Sequence, residues 1–379
     1  MTEPLENLTR SAFRRFVEQE VRPRAAAIDR EEAFPEELIG KLAAAGYLAP
    51  WLAPEQGGQA MDWQGYGVLT EEVGSACSST RSLLTVHGMA AYALQRCGSR
   101  SLKETLLPRL ARGEVIGAFA VSEPEVGSDA AHPQTTATAT PDGYRLSGRK
   151  KWITFGERAD LFLLLAASDK GPTAFLLDAE TPGLTVTPIR GMLGTRGSMI
   201  AALELDDCRV PEERRIGRDG LGFTMVISTA LDLGRYSVAC GCVGMLRACL
   251  EASVAHSATR QQFGSEIREH QLVRRLITDM LTSLRCAELL CQRAGKLRDE
   301  RAPNALAETM IAKYYASTAA KRVADDAVQL QGALGCSQES DVERFYRDAK
   351  VMEIIEGSNQ IQQITIADFA YQKPDPVQV

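Results

Sequence analysis

The sequence predicts an α+β fold in three successive parts: helices, then a small antiparallel sheet, then a second set of helices. Three observations carry that reading. Helical spacing of apolar residues dominates 1–114, short apolar or alternating runs fill 115–222, and the helical period returns over 223–379. At 379 residues, with 45% hydrophobic and 24% charged residues, the chain fits two or three domains of ordinary soluble composition.

In the first part, Phe13, Phe16 and Val17 mark one apolar stripe. Pro35 opens a second helix and Gly46 closes it, with Leu38, Ile39 and Leu42 between them. PEQGG at 54–58 reads as a turn, and residues 77–98 as a further helix. In the second part, strands are expected at 115–122, 135–140, 161–166, 173–178 and 200–205. Pro141-Asp142-Gly143 signals a hairpin between two of them. No long helical crossover separates these strands, so parallel βαβ units are not expected. In the third part, Leu272, Leu276, Met280 and Leu284 recur every four residues, accompanied by Ile277 and Leu281. Pro303 interrupts the pattern, and another helix is expected to run to about Gln331.

Composition excludes several roles. A net charge of −6 and a pI near 5.5 argue against a surface built for nucleic-acid phosphates. The opening MTEPLENLTR has no apolar signal core, and the closing PVQV carries no targeting or lipidation signal. The apolar run LFLLLAA at 161–167 is too short to span a bilayer, so no membrane partner is expected. Nine cysteines are scattered along the chain, with Cys242, Cys249, Cys286 and Cys291 at helical spacing, which suits unpaired thiols in a reducing cytoplasm. Cys240-Gly-Cys242 has no histidines at zinc-like spacing. It is read as small buried helix residues, and no metal is expected.

Several segments carry chemistry. AFAVSEPEVGSD, 118–129, leaves a strand and enters a glycine-containing loop, a shape that presents backbone N–H groups and hydroxyls to a polar ligand, though a plain turn looks the same. KKWITFG, 150–156, places a Trp in a strand, where it is usually a core residue. ATRQQFG, 258–264, contains Arg260, whose fork suits a pyrophosphate but which could equally be a solvated helix-end charge. LDLGRYSVACGCVG, EHQLV and DAVQLQGALG follow at 231–244, 269–273 and 326–335. Residues 341–363, DVERFYRDAKVMEIIEGSNQIQQ, put Glu356 directly before Gly357, Ser358, Asn359 and Gln360.

In this order and spacing, these motifs resemble the flavin-dependent acyl-CoA dehydrogenases over about residues 115–365. The resemblance implies an N-terminal helical domain, a middle β domain and a C-terminal four-helix bundle, with FAD as cofactor. It implies that Phe119, Val121, Ser122, Gly127 and Ser128 form the flavin loop, with Ser122 for the family's Thr and Glu125 for its first Gly. Trp152, Ile153 and Thr154 would lie along the flavin, Thr154 near the N5 atom that accepts hydride. Arg260, Gln262 and Phe263 would reach the FAD of a neighbouring subunit, with His270 and Gln271 close by. Gln329 and Gly332 match the family's Q-x-x-G-G-x-G turn, where Ala333 replaces the second Gly. Ser358 and Gln360 complete the implied cofactor set, and Ser128, Asp232, Arg235 and Gly357 the implied substrate set. Glu356 would be the base that removes the α-proton of a thioester. Glu353 is its nearest competitor. In some relatives the base instead precedes the arginine equivalent to Arg235, where this chain has Gly234.

The resemblance also implies a homo-oligomer, dimer or tetramer, an acyl thioester on CoA or a carrier protein, and an electron-accepting flavoprotein. Residues 77–98, ACGCVGMLRACLEASVAH and DAKVMEIIEGS look closer to the dehydrogenases of polyketide extender-unit pathways. Their implied substrate is a short hydroxylated acyl group, such as glyceryl, on an acyl carrier protein. The rival readings are a short-chain acyl-CoA dehydrogenase of fatty or branched-chain acid breakdown, a flavin monooxygenase on the same fold, and a nucleic-acid-associated relative. Retention of Glu356 argues against the monooxygenase, and the acidic balance against the nucleic-acid role.

Overall fold

The computed structural model describes residues 8–372, so the extreme termini on which the targeting expectations rest lie largely outside it. Six helices come first: α1 (Arg10–Phe16), α2 (Arg22–Glu31), α3 (Glu36–Ala44), α4 (Trp63–Gly74), α5 (Ser78–Cys97) and α6 (Arg100–Ala111). Phe13 and Val17 are buried as their spacing predicts, and Pro35 stands at the N-cap of α3. Side chains satisfy the orphan N–H groups at several helix starts. Asp62 accepts from Gly65 N at 2.7 Å, and Asp299 accepts from Trp63 N at 2.7 Å, which ties α4 to the distant C-terminal part.

The sheet contains β1 (Gly117–Ala120), β2 (Thr136–Thr140), β3 (Gly143–Ile153), β4 (Leu161–Ser168), β5 (Gly171–Asp178), β6 (Leu184–Pro188), β7 (Ala201–Pro211) and β8 (Arg215–Ile216). Its order is β6-β7-β3-β2-β4-β5-β8, with β1 alongside β4. The β2–β3 hairpin closes at Thr140↔Gly143, at the Pro-Asp-Gly signal, but its second strand, β3, is not among the five expected strands. The sheet is not wholly antiparallel. β1 runs parallel to β4 from Gly117↔Leu161 to Ala120↔Leu164, and β2 meets β4 in parallel at Thr136↔Ala167. The β1-to-β4 crossover is made of β2 and β3 rather than a helix, so it leaves none of the helical spacing that marks a βαβ unit.

The apolar run of β4 is explained by burial on both faces. Leu161, Leu163 and Leu165 join the large core shared with the helices, while Phe162, Leu164 and Ala166 join a second core inside the β domain. β5 divides the same way, with Leu176 on one side and Phe175 and Leu177 on the other.

The last part contains α7 (Ser228–Thr259), a small hairpin of β9 (Gln261–Gln262) and β10 (Ser265–Glu266), then α8 (Gln271–Asp299), α9 (Ala305–Gln331), α10 (Asp341–Met352) and α11 (Asn359–Gln372). α7 is the central helix, packed against α4, α5, α8, α9 and α10. The helical stretch 222–259 is a longer apolar run than LFLLLAA and is long enough to cross a membrane. Two-thirds of its apolar window is buried inside the fold, as in a core helix. Cys240 and Cys242 lie buried there. Small residues let α7 approach α4 closely: a Cβ on Gly74 would lie 2.6 Å from Gly241 O.

The α8 stripe is only partly buried. Met280 and Leu284 are buried on α8, but Leu272 is 75% exposed and Leu281 44%. Only one side of α8 meets α7 and α9, so part of the apolar stripe faces outward.

Candidate active site

The Glu356 loop is a short turn between α10 and α11. Glu356 has φ +57° and Gly357 φ +85°, successive left-handed residues that reverse the chain. That conformation costs a non-glycine residue roughly 1–2 kcal/mol, so the surroundings must hold it. Glu356 O accepts from Arg235 Nε and from Gln362 Nε2, each at 3.1 Å. Gly357 O accepts from Lys313 Nζ at 3.0 Å and Gln362 Nε2 at 3.1 Å. Asn359 Oδ1 accepts from Lys313 Nζ and Ser317 Oγ, both at 3.0 Å, while Asn359 N donates to Glu353 O at 2.9 Å. Lys313, Ser317 and Gln362 were not singled out in the sequence. Their only signal is polarity on otherwise buried helical positions.

The loop aims the Glu356 carboxylate at α7 and α5. Its Oε2 is buried and has no hydrogen-bond partner. A Cβ on Gly234 would lie 2.5 Å from that oxygen and 2.8 Å from Met89 Sδ, so glycine makes room for the carboxylate. Gly234 is also the position at which the alternative base of some relatives would stand. The two placements converge on one spot from different elements.

Burial pushes the Glu356 carboxyl up to about 7, opposed by the positive charges of Arg235, Arg81 and Lys313. A carboxylate whose Oε2 is buried without a partner and whose pKa lies near neutrality is suited to accept a proton at pH 7. Glu353 is placed differently. It caps α10, and its Oε2 lies 2.8 Å from Lys350 Nζ, so its charge is already engaged.

Two of the expected flavin motifs, 118–129 and 150–156, meet at one rim of the sheet. Lys151 N donates to Ser122 O at 2.9 Å, joining the loop after β1 to the end of β3. Beneath them Lys150, fully buried, lies 2.7 Å from Glu123 Oε1 and donates to Leu165 O at 2.6 Å. Glu123 also accepts from Gln134 N at 2.7 Å and Thr135 N at 3.0 Å. Burial would raise the Glu123 carboxyl, but Lys150 and these donors hold it below its ordinary range. The pair was legible only as two charged residues inside apolar strand sequence, and it staples the two motifs together.

The register of β3 against β7 shifts between Lys150 and Ile153, and Trp152 has φ +64°. This bulge turns the Trp152 ring outward, 48% exposed, while Ile153 is buried. Ile153 and Val121 sit in the two cores, so only their backbone groups can reach a ligand. Phe119 and Ser122 are half-buried, Thr154 follows half-buried, and Gly127 and Ser128 are exposed. Glu125 adopts an ordinary negative φ, so replacing the family's Gly imposes no strain. A Cβ on Gly127 or Gly332 would meet nothing within 4 Å. Open space beside Gly127 and an outward Trp152 at the rim fit a planar, phosphate-bearing cofactor.

Arg260, Gln262 and Phe263 stand on the exposed β9–β10 hairpin, with Phe263 96% exposed. His270 Nε2 lies 3.3 Å from Gln262 O, and its ring meets Phe263 edge-on at 5.9 Å. Gln271, Gln329 and Gln360 are exposed, and Ser358 is half-buried. Of the implied substrate residues, Arg235 and Gly357 belong to the Glu356 loop network. Asp232 is instead paired with Arg298 at 2.6 Å and lines a cleft of about 570 Å³ beside Trp51, Trp63 and Tyr92. YRDAK is an anchor: Arg347 lies 2.6 Å from Asp29, and Asp348 accepts from Thr195 N at 2.6 Å, binding α10 to the other two parts.

Profiles of the N-terminal, middle and C-terminal acyl-CoA dehydrogenase domains match residues 3–114, 118–208 and 220–371. The chain belongs to the acyl-CoA dehydrogenase family. It is an oxidoreductase acting on CH–CH bonds, and the family is FAD-dependent. The human mitochondrial short-chain specific acyl-CoA dehydrogenase is 36% identical over 360 residues, covering 93% of this chain and 87% of that protein. Among solved structures, FkbI, for biosynthesis of the methoxymalonyl extender unit of the FK520 polyketide, is 35% identical with a TM-score of 0.89, covering 95% and 99% of the two chains. Butyryl-CoA dehydrogenase from Megasphaera elsdenii is 31% identical with a TM-score of 0.92, covering 98% and 100%. The prolyl acyl carrier protein oxidase AnaB is 28% identical with a TM-score of 0.89, covering 95% and 98%.

Proposed function

We propose that this acyl-CoA dehydrogenase family member desaturates a short, hydroxylated acyl group, such as glyceryl, carried on an acyl carrier protein for extender-unit synthesis. The observation that carries the reaction is the buried, partner-free Oε2 of Glu356, held by a loop that Arg235, Lys313 and Gln362 saturate with donors. Glu356 takes the α-proton as the Cα–H bond breaks. FAD, when bound, supplies the acceptor for the β-hydride, and Trp152, Thr154 and the 122–128 loop are the residues that would hold it. The electrons of the Cα–H bond close the Cα=Cβ double bond. With glyceryl the product is an enol that tautomerises to a 3-aldehyde.

Likeness to FkbI and AnaB supports carrier-protein presentation. A second reading, a short-chain acyl-CoA dehydrogenase, is supported by the 36% identity to the human enzyme. We further propose a cytoplasmic homo-oligomer that passes electrons to a flavoprotein. The outward Leu272, Leu281 and Phe263 support a subunit contact.

The test compares one acyl group on CoA and on a cognate holo-carrier protein, following anaerobic bleaching of the flavin. Faster reduction by the carrier form, weakening with salt, is expected, because an acidic carrier must be steered by local basic side chains. Equal or better reduction by the CoA form, with no salt dependence of the carrier reaction, would return the chain to CoA substrates.

A further inference from the structure

Lys313, on α9, is fully buried. A buried ammonium normally finds a carboxylate, because an unpaired buried charge is costly. Lys313 has no ion-pair partner among the described residues. Its acceptors are both neutral, Gly357 O and Asn359 Oδ1, each at 3.0 Å. The charged and titratable groups that face it are Cys242 and Arg235 on α7, and Glu353 and Glu356 at and beyond the end of α10. Burial pushes the Cys242 thiol up to about 12, so it is neutral at pH 7. Glu353 is held by Lys350 at 2.8 Å, and Glu356 Oε2 has no partner.

Hydrogen bonding alone does not account for an ammonium at this position. Gln362 Nε2 also donates to Gly357 O at 3.1 Å, and Ser317 Oγ donates to Asn359 Oδ1 at 3.0 Å. Both acceptors would stay satisfied beside a neutral side chain, without the cost of burying a charge. What a neutral side chain lacks is a field at the base. Glu356 is faced by Arg235 on α7, Arg81 on α5 and Lys313 on α9, and pairs with none of them among the described residues.

The Lys150–Glu123 pair shows what direct contact does. There the ammonium meets the carboxylate at 2.7 Å and holds it below its ordinary range. A carboxylate so stabilised binds a proton weakly. Lys313 instead grips the backbone O of the residue after Glu356 and the side chain two residues further on. From there its charge still acts on the carboxylate through a low-dielectric interior, while Oε2 stays open to a proton. We infer that Lys313 is a positioning residue for the proton transfer: it fixes Glu356 through Gly357 O and Asn359 Oδ1, and its charge, not only its hydrogen bonds, is what the reaction uses. The inference rests on the dehydrogenation proposed above. Burial pushes the Lys313 ammonium down to about 8, which leaves it mostly charged at pH 7.

The experiment uses the FAD-loaded enzyme as wild type, Lys313→Gln, Lys313→Arg and Asn359→Ala. One readout needs no substrate: the Glu356 carboxyl is titrated by infrared difference spectroscopy, with Glu356→Gln as the blank. The other is kcat and KM for anaerobic flavin bleaching at pH 7 by the butyryl and 2,3-dihydroxypropionyl thioesters of pantetheine. Lys313→Gln, a donor without charge, should raise the Glu356 midpoint above that of wild type. It should lower kcat by about ten- to a hundredfold, the worth of a charged hydrogen bond, with KM within a few-fold. Lys313→Arg should bring the midpoint back toward wild type. Asn359→Ala removes one grip and keeps the charge, so kcat should fall while the midpoint stays. Wild-type midpoint and kcat in Lys313→Gln would overturn the inference and leave the dehydrogenase reading intact, whatever happens to the melting temperature. Where neither Lys313 variant folds, a wild-type kcat in Asn359→Ala would overturn it. Bleaching of wild type by neither thioester would take down the reaction reading and the positioning role with it.

Discussion

The Glu356 loop and the β9–β10 hairpin both carry family motifs, yet they are built in opposite ways. Around Glu356 nearly every backbone acceptor is claimed from inside the chain, by Arg235, Lys313 and Gln362. Around Arg260 the side chains are exposed, and Phe263 packs on little beyond His270. The first is a finished device within one chain. The second stands open, its side chains exposed on a two-stranded hairpin. The difference teaches that a strained backbone residue is fixed by its own chain, while the hairpin's side chains are left exposed.

The sharpest way to break the contrast is Glu356→Gln. The amide keeps the shape but cannot take the proton, so substrate-driven bleaching should fall by ~10²–10⁴ with FAD retained. Near-wild-type bleaching would move the base elsewhere. Next comes Arg260→Ala, which should weaken FAD retention by about ten- to a hundredfold, the worth of a charge-assisted hydrogen bond. Equilibrium dialysis that finds unchanged affinity would detach the hairpin from the cofactor.

The pH profile sharpens the first half. Glu356 is raised, so it is protonated and inactive below its pKa. Bleaching under kcat/KM conditions should rise with pH to a plateau, with a midpoint near 7 and about a tenfold loss per unit well below it. The same shift weakens the fold as pH rises from the ordinary carboxylate range to 7, because the charge becomes buried. Glu356→Gln should therefore melt higher than wild type at pH 8, with the gap closing toward pH 4.5. A midpoint near 4.5 would mean a solvated carboxylate. The smallest effect belongs to Glu353→Gln, whose charge is held by Lys350 near the surface. Bleaching should stay within about twofold, in line with the small worth of exposed ion pairs.

Much of the fold was legible because it rests on short-range rules. Pro35, the Pro-Asp-Gly turn and the helix break at Pro303 act through local backbone geometry, and the structure honours each. The strand β6 and the parallel pairing of β1 with β4 were not legible, since pairing partners lie far apart in sequence. Leu272 and Leu281 misled for a related reason: helical spacing names an apolar face but not what covers it.

By itself, the sequence determined the order of the three parts, the family motifs and the single glutamate poised before a glycine. These depend on residue identity and local spacing. Only the tertiary structure decided that Lys313 anchors the Glu356 loop, that Lys150 staples Glu123, and that Trp152 turns outward at a bulge. It alone brought Arg81 to Met352, 271 residues away, and into the field of Glu356. Burial, partner choice and pKa are set by what packs around a group. That packing is a property of the folded chain as a whole and has no local spelling.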